Sequence, residues 1–102
     1  MAFITGAVPE SLVREITASP AEFERDLRKA WAAGVEQVTP GHLRLHDGGT
    51  RLDIHVEVRG VRRLGLFELP ILAARYYFSG GGEPDRRRLL AMLDRAMQRG
   101  GG

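Results

Sequence analysis

The residues His42-Leu-Arg-Leu-His-Asp-Gly-Gly-Thr-Arg-Leu-Asp-Ile-His-Val-Glu-Val58 constrain the fold more than any other stretch of this chain. With Gly48 and Gly49 as the two central residues of a hairpin turn, Asp47 faces Thr50 and the strands pair outwards from there. Leu43 and Leu45 then share one face with Leu52, Ile54, Val56 and Val58. His42, Arg44, His46, Arg51, Asp53, His55 and Glu57 share the other. A three-residue loop would set Leu45 against Arg51 and spoil both faces, so the two-residue turn is preferred. One apolar and one wet face imply an antiparallel sheet with helices on one side only.

Two helices bracket the strands. Ser19-Pro-Ala-Glu22 is a capping box, with Pro20 at the first helical position where its missing N–H is harmless. Phe23, Leu27, Ala30 and Trp31 form the apolar stripe that follows, and Gly34 is the expected C-terminal cap. The second helix is expected from just after Gly80-Gly-Gly-Glu-Pro84 to about Arg99, with Leu89, Leu90, Leu93, Ala96 and Met97 buried. Ser11 to Ala18 reads as a strand in which Arg14 interrupts the Leu12/Ile16 face, and a short strand is expected near 35–39. Leu64-Gly-Leu-Phe-Glu-Leu-Pro-Ile-Leu72 is apolar on both faces, and Pro70 within it marks a bend, a bulge or an edge position. Strands are therefore expected near 61–67 and 71–79.

The resulting fold class is α+β: one curved antiparallel sheet with two helices packed on one face, in the order β-α-β(4–5)-α. In element order this resembles TATA-binding-protein-like and ferredoxin-like folds. The likeness covers the chain loosely and carries no motif, so it implies the fold and no activity.

A chain of 102 residues is expected to form a single domain spanning 1–102. It contains no cysteine, which excludes disulfides, zinc fingers, iron–sulfur clusters and a thiol nucleophile. The first ten residues do not have the form of a signal peptide, and no run approaches a membrane span, so a cytoplasmic protein without membrane contact is expected. Arginine outnumbers lysine fourteen to one, and arginine's planar fork suits phosphate and carboxylate. The first forty residues lean acidic, whereas the strand block and the C-terminal segment lean basic.

No catalytic constellation emerges. Ser11, Ser19 and Ser79 sit at a strand start, a helix cap and a strand end, outside any nucleophile turn. His42 and His55 are cross-strand neighbours but lack an obvious third metal ligand, so neither a metal nor another cofactor is assigned. The glycines before the second helix could cradle a phosphate, although Glu83 and Asp85 occupy the same helix start. Arg99-Gly-Gly-Gly102 resembles the diglycine tail of ubiquitin-like sulfur carriers, but here the tail follows a helix rather than a strand.

The functional expectation is a binding or assembly module without catalysis. Its candidate binding residues are His42, Arg44, Arg51, His55, Arg75 and Tyr77 on the open face. Its candidate interface residues are Leu66, Phe67, Leu69 and Ile71, whose apolar side chains need cover on a face the helices leave open. A homodimer or another protein partner is expected. The alternative is nucleic-acid binding, with Arg44, Arg51 and Arg75 on phosphates and Tyr77 stacking on a base.

Overall fold

The computed structural model describes residues 6–97. Strand β1 (Ser11–Thr17) leads into helix α1 (Pro20–Ala30). Four strands follow without interruption: β2 (Glu36–Thr39), β3 (His42–Asp47), β4 (Thr50–Leu64) and β5 (Phe67–Ser79). Helix α2 (Glu83–Ala96) closes the described chain. All strands lie in one antiparallel sheet of order β1-β5-β4-β3-β2. The α+β class and the two bracketing helices are as expected. A ferredoxin-like order would place a helix after two of these four strands. Helix α2 begins at Glu83 rather than after Pro84, because Gly82 is its N-cap and Pro84 fits inside the first turn; the expected end near Arg99 and the glycine tail lie outside the described residues.

The β3–β4 register matches the sequence expectation, from Asp47 opposite Thr50 to His42 opposite His55. Gly48 supplies the positive φ of +59° that the first central position of a type II′ turn requires. Four strands rather than five follow α1, because β4 does not stop near Val58. It absorbs one extra residue in a bulge between Val58 and Gly60 and continues to Leu64. The next turn falls at Gly65-Leu66, with Gly65 at φ +62°, so residues 61–64 belong to β4 and β5 begins at Phe67. Pro70 takes the edge position among the three foreseen. Its carbonyl accepts the Ala18 N–H at 3.0 Å, so its donor-less nitrogen faces the side where β1 ends.

Both helices cover the same face. Phe23 and Leu27 from α1 and Leu89, Leu90 and Leu93 from α2 pack on Leu43, Leu45, Leu52, Ile54, Leu72 and Phe78. Each such fully buried side chain contributes about 1.5–3 kcal/mol of transfer free energy. The capping box forms as read: Ser19 Oγ accepts the Glu22 N–H at 3.1 Å, and the Glu22 carboxylate accepts the Ser19 N–H at 3.0 Å. Helix α1 ends before Gly34, however, with Trp31 as its C-cap. The Arg28 guanidinium donates to the Val35 carbonyl at 2.6 Å across the intervening loop, which brings Val35 into the core. Ala96, expected in the α2 stripe, is exposed.

Candidate functional site

The side of the sheet away from the helices divides into a polar zone and an apolar arm. Laterally paired residues set the polar zone: Arg44, Asp53 and Tyr77 form one row across β3, β4 and β5, and His42, His55 and Arg75 form the next. All six expected binding residues therefore belong to this face, with Arg51 beside His46 and Ser79 in a third row.

Asp53 organises the zone, a role that its place on the wet face does not reveal. It is only 7% exposed. Its Oδ1 accepts from Arg44 Nε and meets His42 Nε2, each at 2.7 Å, and its Oδ2 lies 3.0 Å from Arg51 Nε. Burial raises the pKa of this carboxyl and is the largest single influence. The hydrogen bonds from Arg44 and His42, with the charges of Arg44 and Arg51, outweigh it and hold the group below its ordinary range. The His42 and His55 rings stack at 4.0 Å between centroids, and the Tyr77 ring meets His55 edge-on at 5.5 Å. Partial burial and the neighbouring His42 keep the His55 imidazole below its usual pKa, against an upward pull from Asp53. Among the described residues, no group of three histidine or acidic side chains is placed to hold a metal ion.

The start of α2 has its own occupants. The Asp85 carboxylate accepts the Gly82 N–H at 2.8 Å, and Glu83 accepts the Val8 N–H at 2.7 Å. These backbone donors are thus engaged within the chain, where a phosphate cradle would leave them open.

The apolar arm is the end of the β4–β5 hairpin beyond the bulge. At ~3.3 Å per residue, the fifteen residues of β4 are long enough to match the whole 45 Å length of the molecule. Of the expected interface residues, Leu66 is fully exposed at the tip, Phe67 is 71% exposed, and Leu69 is at the margin of exposure. Ile71 is half-buried. Leu64, Val58 and Val61 join them as exposed side chains. Val58 lies on the helix-facing side, where the sequence pattern placed it, yet it is 55% exposed. The helices do not extend over this end, so both faces of the arm meet solvent.

No protein-family model matches the chain, and no curated protein sequence matches it. No helix among the described residues is long and apolar enough to cross a membrane. Fold and surface together define a small α+β domain whose five-stranded sheet carries exposed apolar residues.

Proposed function

We propose that this chain is a single-domain, cytoplasmic docking and assembly module that works without catalysis through its open sheet face and the β4–β5 arm. One observation carries the proposal. Large apolar side chains, among them Val61, Leu64, Leu66 and Phe67, are concentrated at the projecting end of one hairpin, where the chain's own helices offer no cover. Exposed apolar groups scattered singly are ordinary, whereas a contiguous cluster marks an interaction surface. A two-stranded arm is also marginal in water by itself, and cover from a partner removes that weakness.

The nucleic-acid alternative is less well supported, because Arg44 and Arg51, two of its three phosphate-binding arginines, are turned onto Asp53. The test is native mass spectrometry of the protein isolated from its own host, beside the variant carrying Leu66→Asp and Phe67→Asp. Both side chains are exposed, so the variant should fold as the wild type does and lose the assembled species. A wild type found only as free monomer, or an assembly that survives both substitutions, would overturn the proposal.

A further inference from the structure

The open face of the arm is self-complementary about one residue pair. Gly60 faces Ile71 across β4 and β5. One step along the sheet towards the polar zone, Glu57 faces Ala73, and one step towards the tip, Arg62 faces Leu69. The bulge creates this arrangement: it shifts the β4 register by one residue, so that Glu57 and Arg62 lie at equal offsets from the Gly60–Ile71 pair. Acidic and basic side chains on one strand are thereby set symmetrically about the Gly60–Ile71 pair.

Gly60 is the second observation. Its φ lies outside the positive range, and a Cβ added there would meet nothing within 4 Å. Neither backbone conformation nor crowding within the chain requires a glycine at this position. Glycine weakens a strand; it accompanies bulges such as the one here, and it also leaves room for the close approach of another backbone.

We propose that a second copy of this chain docks face to face on the open side of the sheet, with a two-fold axis crossing the strands along the Gly60–Ile71 pair. This deepens the assembly function proposed above and rests on it. Half a turn about that axis lays β4 on β4 in the opposite direction, so Glu57 meets the partner's Arg62 and Arg62 meets the partner's Glu57. Leu69 is carried over the partner's Ala73. Phe67, two steps from the axis, is carried over the partner's Arg75, a pairing suited to a cation–π contact. The exposed contact of Arg62 with Glu15, at 3.4 Å, leaves that guanidinium available. The two arms point in opposite directions, which keeps their like charges apart. Row and strand spacings give a footprint of roughly 400 Å² per copy. That is below the ~800 Å² per partner of a standard interface, so the dimer is concentration-dependent.

Analytical ultracentrifugation over about 1–500 μM tests the proposal. The wild type should pass from monomer to dimer across this range. Gly60→Val should remain monomeric while melting at or above the wild-type temperature, since the side chain is free in the monomer and fouls only the paired faces. Glu57→Arg and Arg62→Glu should each weaken the dimer about tenfold, because every dimer contains two such pairs. Combining the two substitutions should restore it. A wild type that stays monomeric throughout, a dimer indifferent to Gly60→Val, or a double reversal that recovers nothing would each overturn the proposal. If the wild type stays monomeric while an assembly isolated from the host is still lost on Leu66→Asp with Phe67→Asp, the second copy is wrong and the docking function stands.

Discussion

Arg14 on β1 and Asp94 on α2 form an ion pair that ties an edge strand to the last helix across eighty residues of chain. Both side chains are largely buried, and the Arg14 guanidinium lies 5.8 Å from the centroid of the Tyr76 ring. The charge that interrupts the Leu12/Ile16 face is therefore turned inward, with its counter-charge supplied by a helix. One guanidinium nitrogen of Arg14 has no hydrogen-bond partner, so the pair carries an uncompensated desolvation cost.

Removing one member should accordingly be much worse than removing both. Arg14→Met or Asp94→Leu alone should destabilise the fold by about 2–4 kcal/mol, since each strands the other charge in a mostly dry site. Arg14→Met combined with Asp94→Leu should recover most of that loss. Urea denaturation of the four proteins in a double-mutant cycle is the check, and strictly additive losses would contradict the pairing.

Asp53 should make stability fall on its acid side. Its folded pKa lies below the ordinary 3.8, so its contribution is fully present above that value. The contribution is lost as pH falls from there through the folded pKa, because only the unfolded chain then gains the proton readily. Asp53→Asn should lower stability by about 2–3 kcal/mol at pH 7, where it removes the counter-charge of Arg44 and Arg51 and turns one of their two acceptor oxygens into a donor. The difference from wild type should shrink towards pH 2. His55 acts in a separate window: its depressed pKa makes stability fall as pH drops below 6.5, and His55→Gln should flatten that portion alone. Urea midpoints between pH 2 and 8 separate the two.

The glycines at Gly48 and Gly80 should differ in tolerance. Both have positive φ, +59° and +74°. A Cβ at Gly48 would meet nothing within 4 Å, whereas one at Gly80 would lie 2.1 Å from the Gly49 carbonyl oxygen. Gly48→Ala should cost only the backbone strain, about 1–2 kcal/mol. Gly80→Ala must also push the Gly80 and Gly49 backbones apart, and it should cost more than about 3 kcal/mol. Equal thermal shifts would show that the β5–α2 loop is not held against the β3–β4 turn.

Legibility in the sequence followed the range of the interactions. The β3–β4 register was readable because a two-residue glycine turn and period-two alternation allow one pairing that keeps both faces consistent. The α1 start was readable because a capping box is satisfied within four residues. The end of α1 was not: the helix stops at Trp31, ahead of the expected Gly34, and Arg28 bonds the Val35 carbonyl beyond it. The bulge before Gly60 has one local mark, the glycine itself, but a lone strand glycine does not say whether the strand bulges or stops there. On the open face, the six candidate residues could be grouped by alternation, but the burial of Asp53 among Arg44, Arg51 and His42 could not.

The amino-acid sequence by itself determined the α+β class, the central hairpin register, the start of α1 and the presence of surplus apolar side chains between Leu64 and Leu72. Those follow from backbone geometry and from periodicity over a few residues. Only the tertiary structure decided that β5 pairs with β1, that Arg14 turns inward to Asp94, and that the arm outruns both helices. The physical reason is that burial belongs to the assembled sheet. Whether Val58 or Asp53 is wet depends on how far the helices extend and on which side chains converge from neighbouring strands, and no single strand encodes either.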